Sequence, residues 1–460
     1  MFVLALFMDI LDVTIVNVSL VAISEEFGVS VPNTTWIILG YSLSLAVWIP
    51  VSGWVGERFG TKNTFLFALG VFTVASLLCA EARSIEQLIA FRLLQGVGGG
   101  MLTPVGITLL FRAFPPEQRA RASAILTIPT VLAPATGPVL GGILTDSVGW
   151  RWIFRVNLPI GLIAFAIAFF GLRADRPTTR RPFDTPGFIL TILGFPSLVF
   201  FLERGAEEGW LSGRVVAAFL VAVSALGTLV WWSRKATMPM LDLGLLKERL
   251  FRTTNAVSFV STMAFLGIVF LLPQFLQRVA GFSASESGLA TFPQALGVIV
   301  MSRFAGKFYP KWGPRRMLAF AYSGLAFMTI PFVFLTVDTS PWTLRTIMVL
   351  RGFFLAFTFI PLQAASYARI TPEQTGRASA IFSTQRQLGA ATGVAVLSTI
   401  LVSALPAEFP RGPLAADLVP GFTSAFHWAF AAAIGLTLLA GALSLLIRDA
   451  DAAATMIKRP

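Results

Sequence analysis

Residues 116–125 read PEQRARASAI, and residues 372–381 read PEQTGRASAI. The two stretches are identical at eight of ten positions, at an offset of 256. A looser pair, GWVGERFGTK at 53–62 and GKFYPKWGPR at 306–315, lies at an offset of 253. The chain is therefore predicted to consist of two related halves in the same orientation, which is the arrangement of a parallel repeat.

The composition of the whole chain excludes a water-soluble protein. Of the 460 residues, 55% are hydrophobic and only 13% are charged, and 42 residues are Phe. A membrane helix needs about 20 apolar residues, so the chain has room for a dozen or more spans and for no sizeable soluble domain. The single Cys79 and the single His427 leave no disulfide framework, no Cys or His metal cluster and no Ser-His-Asp arrangement. We expect no cofactor, no metal site and no enzymatic activity.

Hydrophobic windows predict an all-α polytopic membrane protein with fourteen transmembrane helices. Two six-helix bundles are predicted at 1–172 and 253–460. A basic linker at 173–252 carries two extra helices and a cytoplasmic amphipathic segment. An even number of helices must separate the halves if their topology is to match, which favours counting both extra helices. The fourteen spans lie at 2–23, 34–55, 63–80, 86–111, 122–145, 152–172, 187–203, 213–232, 254–276, 285–306, 316–336, 342–368, 378–403 and 424–447.

The distribution of charge predicts the orientation of these spans. Most of the 35 Lys and Arg residues fall in alternate loops and at the chain ends, which are then cytoplasmic by the positive-inside rule. The net charge of +12 is thereby accounted for without a nucleic-acid partner. The first apolar run carries polar residues and precedes no A-x-A-like cleavage site, so we expect it to remain as a helix.

Two carboxylates, Asp9 and Asp12, lie three residues apart within the first predicted span. An unpaired charge in hydrocarbon is costly, and intramembrane ionisable groups are functional by default. A carboxylate whose cationic partner comes and goes can bind and release a proton, so the coupling ion is predicted to be the proton. The alternatives are a fixed ion pair between helices or, for Asp9, a side chain that reaches the inner interface.

Arg92 is the predicted partner of Asp12. Arg92 lies near the outer end of the fourth span, and Asp12 lies deeper in the first span, counted from the inside. With a rise of 1.5 Å per residue, both side chains reach the middle of the membrane. The alternative is an Arg that extends to the outer interface.

Other polar or small residues inside spans are candidates for the transport path. Polar side chains could line a cavity or make helix–helix hydrogen bonds, and the small residues of GPVLGG at 137–142 could serve packing or gating. The candidate cavity residues are Asn17, Tyr41, Gln95, Arg386 and Gln387, and the candidate gating residues of GPVLGG are Gly137, Pro138, Gly141 and Gly142.

Several of these stretches are similar to sequence signatures of a known family. LDVTIVNVSLVAI at 11–23 is similar to a first-helix signature, with Asp12 on its acidic position, and GWVGERFGTK is similar to a loop signature, with Glu57 in place of Asp. RLLQGVGGG at 92–100 and GPVLGG are similar to fourth- and fifth-helix signatures. Jointly they resemble the major facilitator superfamily, and more narrowly its fourteen-helix drug:proton antiporter family of bacterial multidrug exporters.

The resemblance implies proton-driven export of amphiphilic drugs or toxic compounds by alternating access. It implies a bacterial inner-membrane protein with both termini cytoplasmic, functional as a monomer, whose partners are a small-molecule substrate, protons and the lipid bilayer. Proton handling is expected in the first half, since the region of the second half that matches Asp12 reads AFLGI. LLPQFLQ at 271–277 continues the resemblance, and Gln274 within it joins the cavity candidates. The loop signature implies conformational roles for Gly53, Glu57, Arg58, Gly60 and Lys62, whereas Pro310 occupies the acidic position in the second copy.

Two other functions stay open at this point. A dedicated exporter of one cellular product, such as an antibiotic, a lipid or a metabolite, would use the same fold. Inside the spans five Arg residues stand against two Asp, which favours anionic or neutral substrates; the five are Arg92, Arg155, Arg303, Arg351 and Arg386. A membrane enzyme or a channel is disfavoured, because the sequence offers no nucleophile–base pair or phosphate loop and a two-half repeat suits rocking transport.

Overall fold

The computed structural model describes residues 1–29, 31–173, 182–406, 415 and 417–456, and the regular structure in these ranges is helical. Short 3₁₀ turns lie at Pro116–Gln118, Leu243–Lys247, Ile330–Phe334 and Asp449–Ala452. The α-helices are α1 (Phe2–Phe27), α2 (Val31–Phe59), α3 (Thr61–Ala80), α4 (Ile85–Ala113), α5 (Arg119–Val148), α6 (Trp152–Arg155), α7 (Asn157–Gly171), α8 (Thr185–Glu208), α9 (Gly213–Lys235), α10 (Arg249–Arg278), α11 (Ala284–Thr291), α12 (Pro293–Phe327), α13 (Pro341–Ser366), α14 (Thr375–Ala404), α15 (Val419–Ser444) and α16 (Ala453–Met456).

These helices account for the fourteen predicted spans. Within the described ranges, 12 helical stretches are long and apolar enough to cross a membrane, and the two parts of the bent helix at 116–148 together make a thirteenth. One of the 12 stretches, Ser285–Phe334, has 50 residues. At 1.5 Å per residue it would measure about 75 Å, far more than the ~30 Å hydrocarbon layer. Gly313, with a φ of 74°, breaks this stretch inside α12 and so divides it into two spans.

Several helices extend beyond the predicted spans at their polar ends. α9 ends at Lys235 rather than at residue 232, and α10 begins at Arg249 rather than at 254. A hydropathy window stops at the first charged residues, but the backbone can continue its i to i−4 hydrogen bonds beyond the hydrocarbon layer. The predicted amphipathic segment before α10 contains a short 3₁₀ turn, Leu243–Lys247. Most of the basic stretch at 173–181 lies outside the described residues.

The chain forms two compact units. Unit 1 comprises Met1–Pro115, Thr136–Glu248 and Ile370–Thr384, and unit 2 comprises Pro116–Ala135, Arg249–Arg369 and Gln385–Pro460. The extra helices α8 and α9 thus belong to unit 1. The predicted domain boundaries at 172/173 and 252/253 follow the repeat in sequence, whereas the units follow contacts, so the repeat copy at 372–381 is part of unit 1.

Glycines bring α4 close to its neighbours in unit 1. A Cβ added to Gly98 would lie 2.4 Å from the carbonyl oxygen of Ala68 on α3, and one added to Gly96 would lie 2.4 Å from Cβ of Ser44 on α2. Both glycines come from GVGGG at 96–100. The run is therefore a packing surface, in keeping with the small residues that membrane helices use at close contacts. This packing places the polar face of α4 beside α1.

Candidate functional site

The two carboxylates of α1 are buried inside unit 1. Asp12 is 0% exposed and Asp9 is 9% exposed. Oδ2 of Asp12 accepts a hydrogen bond from Nη1 of Arg92, so the two residues expected at similar depth form an ion pair. Oδ1 of Asp12 accepts from Nε2 of Gln95 at 2.9 Å and from Nδ2 of Asn157 at 3.0 Å. Both carboxylate oxygens of Asp12 therefore have protein donors.

Arg92 is fixed in place by more than this carboxylate. Its Nη1 also donates to Oε1 of Gln95 at 2.6 Å, and its Nε donates to the carbonyl oxygen of Ile37 at 3.2 Å. The guanidinium carbon lies 4.2 Å from the ring centroid of Tyr41 and 5.8 Å from that of Phe154. At 1% exposure the side chain does not extend to the interface. Hydrogen bonds and aromatic faces hold this cation in the interior.

Ser76 and Asn157 complete the surroundings of Asp12, and the sequence reasoning missed both. Oγ of Ser76 accepts from Asn157 Nδ2 at 3.0 Å and from Gln95 Nε2 at 3.3 Å, and it donates to the carbonyl oxygen of Phe154 at 3.0 Å. Oδ1 of Asn157 is buried and has no hydrogen-bond partner in the described part of the chain. The sequence signal that could have identified Asn157 is its amide side chain at the start of a strongly apolar helix, α7.

Asp9 has a different environment, made of neutral donors. The hydroxyl of Tyr41 donates to Oδ1 of Asp9 at 2.7 Å, and that of Thr103 donates to Oδ2 at 3.0 Å. A Cβ on Gly99 would lie 2.3 Å from the Tyr41 hydroxyl, so this glycine makes room for the bond. Arg92 pairs with Asp12, so with both Asp residues ionised the cluster of Asp9, Asp12 and Arg92 holds one more negative than positive charge.

The predicted cavity residues lie in several places. Tyr41 and Gln95 are buried and donate to the carboxylates. Asn17 is exposed and its amide donates only to Val13 O of its own helix, at 3.3 Å. Three more candidates are half-buried in unit 2 and make no side-chain hydrogen bond within the described ranges; they are Gln274, Arg386 and Gln387.

The GPVLGG residues of α5 lie against α1. A Cβ on Gly137 would lie 2.1 Å from Oγ1 of Thr14, and one on Gly141 would lie 2.9 Å from the carbonyl oxygen of Ile15. Gly142 is buried. The side chain of Pro138 lies outside the described residues. These small residues bring α5 directly against the helix that carries both carboxylates.

The loop signature at 53–62 forms a second polar cluster, with residues 370–384 of unit 1. Arg377 donates from Nε to Oε1 of Glu57 at 3.0 Å and from Nη1 to Oδ2 of Asp242 at 2.5 Å. A Cβ on Gly53 would lie 3.1 Å from the carbonyl oxygen of Gly376. Glu57 is thereby paired with a residue from the second copy of the repeat.

The other loop residues shape the turn between α2 and α3. Gly60 has a φ of 86°, which favours glycine. Nζ of Lys62 donates to the carbonyl oxygens of Phe169 at 2.7 Å and Leu172 at 2.5 Å, at the end of α7, where a cation is favourable. Arg58 is half-buried, and its side chain makes no hydrogen bond or ion pair within the described residues.

Asp184 holds the segment that carries Asp242. Its Oδ1 accepts from Gly187 N at 3.0 Å and from Trp232 Nε1 at 2.8 Å, and its Oδ2 accepts from Met240 N at 2.9 Å. One carboxylate therefore caps α8, contacts the end of α9 and fixes the chain two residues before Asp242. The extra helices are tied in this way to the Glu57–Arg377 pair.

The second copy of the loop uses a different acidic residue. Pro310 lies inside α12, and Oδ1 of Asp449, beyond α15, accepts from the backbone N of Arg315 at 2.9 Å. Gly313 has a φ of 74°, and a Cβ there would lie 2.6 Å from Asp449. Asp449 thus supports the second loop from the C-terminal segment.

Comparison with known proteins places these features in context. A family model described as Major Facilitator Superfamily matches residues 2–394. Multidrug export protein EmrB of Escherichia coli is 33% identical over 404 residues, covering 86% of this chain and 78% of that protein. Multidrug resistance protein B homolog of Mycobacterium tuberculosis is 34% identical over 405 residues, covering 87% of this chain and 75% of that protein.

A solved structure shares the fold. The human organic anion transporter MFSD10 (TETRAN) aligns with a TM-score of 0.66 over 96% of this chain and 97% of that chain, at 16% sequence identity. At this identity the likeness concerns the arrangement of helices alone.

Proposed function

Because the chain belongs to the major facilitator superfamily and is a multi-pass membrane transporter, we propose that it exports amphiphilic drugs or toxic compounds in exchange for protons. Relatives at 33–34% identity are named multidrug export and multidrug resistance proteins, which supports the substrate class. The bacterial relatives support a location in the bacterial inner membrane, and the charge distribution supports cytoplasmic termini. We further propose that the monomer is the functional form.

The observation that carries proton coupling is the burial of two carboxylates, Asp9 and Asp12, beside a single guanidinium, Arg92, which is paired with Asp12. Two buried carboxylates and one Arg leave one negative charge uncompensated, which is costly in a membrane interior. A proton on either carboxylate removes that cost. The cluster can therefore hold a proton in one state of the transport cycle and release it in another.

Asp12 is the residue through which a proton would change the packing of helices. When ionised, it ties α1 to α4 through Arg92 and Gln95, and to α7 through Asn157. Protonation from the outside weakens the pair with Arg92 and favours one conformation, and release to the inside restores it. Asn157 Oδ1 accepts no hydrogen bond from the described residues, and it can receive the O–H of protonated Asp12 after a small rearrangement.

Conformational closure is proposed to involve the loop at 53–62. Glu57 and Asp242 both bind Arg377 at the start of α14, so breaking these bonds would free that end of α14 from the loop. Gly137 and Gly141 let α5 pack directly on α1 beside the carboxylates. These contacts connect the proton site with helices that must move in alternating access.

Everted membrane vesicles test the proposal, because their cytoplasmic face is turned outward. An imposed pH gradient, acidic inside, should drive ethidium into vesicles that contain the wild type. Asp12→Asn should abolish this uptake, whereas Asp146→Asn, at an exposed position on α5, should retain it. Full gradient-driven uptake by Asp12→Asn would refute the coupling scheme.

A dedicated exporter of one cellular product is the alternative function on the same fold. A panel of chemically unrelated dyes and drugs distinguishes the two. Transport of several compounds supports multidrug export, and transport of a single compound supports the alternative.

A further inference from the structure

Unit 2 contains a buried cation that lacks an acidic partner. Arg351 lies on α13, is 2% exposed and forms no ion pair with any described residue. Its Nη1 donates to Oε1 of Gln294 at 3.3 Å and lies 4.0 Å from Sδ of Met348. Its Nε is buried and has no hydrogen-bond partner among the described residues. Most of the donor capacity of this guanidinium is therefore unused.

Arg351 lies deep in the membrane and not at an interface. It is ten residues from the start of α13 at Pro341, which corresponds to a rise of about 15 Å, or half of the ~30 Å hydrocarbon layer. An Arg that serves as an interfacial anchor extends its charged group to water, whereas this guanidinium lies 4.8 Å from the ring centroid of Phe332 and is buried. Anchoring at a membrane interface therefore does not explain the presence of Arg351 within a span.

The comparison with Arg92 shows that Arg351 lacks an ion pair with a carboxylate. α4 and α13 are the fourth spans of the two halves, and each carries one deeply buried Arg. Arg92 binds Asp12, Gln95 and a backbone carbonyl, whereas Arg351 has one long hydrogen bond to a neutral amide. Intramembrane cations normally pair with an anion or line a water-filled path. The described residues supply no anion for Arg351.

The described part of unit 2 has no acidic residue in the middle of a membrane-spanning helix. The described acidic residues of this unit lie in loops, in short turns or in the first turn of a helix; they are Glu117, Glu286, Asp338, Asp417, Asp449 and Asp451. Arg386 on α14 is half-buried and makes no ion pair or hydrogen bond with the described residues. An anionic ligand would meet no buried carboxylate of unit 2.

We propose that Arg351 binds the carboxylate of an anionic aromatic substrate. A carboxylate matches the planar fork of a guanidinium and forms paired charge-assisted hydrogen bonds with it. Phe332 and Met348 lie against the guanidinium and provide apolar contacts for an aromatic ring. The inference rests on the proposed export function, and it assigns carboxylate-bearing amphiphiles to the substrate range.

The test uses two fluorescent probes that differ in one group, 1-pyrenebutyrate and its neutral amide, 1-pyrenebutyramide. Their affinities are measured with the purified full-length protein in detergent. The wild type should prefer the carboxylate, and Arg351→Gln should reduce the carboxylate-to-amide affinity ratio roughly tenfold or more, as expected for a lost charge-assisted hydrogen bond. Arg345→Gln removes the same charge from the first turns of α13 and should keep the wild-type ratio.

Two further measurements keep the proposal open to refutation if Arg351→Gln does not fold. Arg351→Lys retains a cation without the fork and should give an intermediate ratio, and 1-pyrenebutyrate should raise the Tm of the wild type more than the amide does. Equal affinities of the two probes for the wild type, or an unchanged ratio in Arg351→Gln, would overturn the proposal. Ethidium uptake by everted vesicles separates a failure of this inference from a failure of the proposed export function. If ethidium is transported without any carboxylate preference, only this inference fails; if neither ethidium nor pyrenebutyrate is transported, the export function fails.

Discussion

Arg377 donates from Nε to Oε1 of Glu57 at 3.0 Å, although 320 positions separate the two residues in the chain. Nη1 of the same Arg binds Asp242, so one cation pairs with two carboxylates that come from different parts of the sequence. The Arg377 side chain is 15% exposed and the Glu57 side chain is 8% exposed, so water screens this pair less than a surface pair. The contact fastens the start of α14 to the loop at 53–62.

Arg377→Gln should therefore destabilise the protein by about 1–3 kcal/mol, since it removes a charge-assisted hydrogen bond from each of two partly buried carboxylates. Thermal unfolding in detergent, followed by intrinsic fluorescence, measures the change. Arg369→Gln is the matched control. Its ion pair with Asp451 is much more exposed, and such pairs contribute about 0–1 kcal/mol. Equal Tm values for the two variants would show that the Glu57–Arg377 contact does not stabilise the fold.

Asn157→Ala should lower pH-gradient-driven ethidium uptake roughly tenfold. The substitution removes a donor to the Asp12 carboxylate and the bond to Ser76, and a hydrogen bond to a charged group contributes about 1.5–3 kcal/mol. Everted vesicles with matched protein content measure the rate. Asn63→Ala, at an exposed position on α3, should transport at the wild-type rate. If both variants match the wild type, Asn157 does not take part in the proton step.

Gly98→Ala should destabilise the protein by about 1–3 kcal/mol or prevent its accumulation, because the new methyl group would meet backbone atoms of α3 that cannot move aside. The readouts are expression level and Tm. In contrast, Gly227→Ala on α9 meets no atom within 4 Å and replaces a helix-interior glycine, so its Tm should be unchanged or higher. A wild-type Tm for Gly98→Ala would contradict the close packing of α4 on α3.

Asp184→Ala should loosen the segment between α9 and α10. It removes three hydrogen bonds, one of them to the backbone of Met240. Trypsin should then cleave after Lys235 or Lys247 about fivefold faster, the factor that corresponds to roughly 1 kcal/mol of local stability. Cleavage of everted vesicles, followed by mass spectrometry, gives the rates. Asp146→Ala should be cleaved at the wild-type rate, and equal rates for all three proteins would show that Asp184 does not hold the segment.

The depth of a residue in the membrane could be predicted from the sequence, and its neighbours could not. Hydropathy locates the apolar part of each helix, and a constant rise per residue then places Asp12 and Arg92 at similar depth. The pattern of a single helix does not say which other helices lie beside it. Tyr41 was expected to line a cavity or to make a helix–helix hydrogen bond, but the sequence did not identify Asp9 as its partner, and Asn157 was not recognised at all.

Contacts between distant loops were the least predictable. Glu57, Asp242 and Arg377 are ordinary charged residues at helix ends, and such residues are usually solvated. Their meeting depends on the packing of α2, α14 and the segment held by Asp184. The loop signature marked Glu57 as a candidate, but nothing in one sequence identifies its partner. The role of Asp449 in the second loop was hidden in the same way, because it lies beyond the last span.

Cys79 provides a built-in chemical reporter of the carboxylate cluster. It is the only cysteine of the chain, it is 0% exposed, and its Sγ lies 3.8 Å from Oε1 of Gln95, which in turn binds Asp12. Because the thiol is buried, an alkylating reagent can reach it only when the helices around it separate. The rate of maleimide labelling therefore measures how often the carboxylate cluster opens. Because the native sequence has a single cysteine, no thiol-free variant has to be made before substrates, pH values or variants are compared.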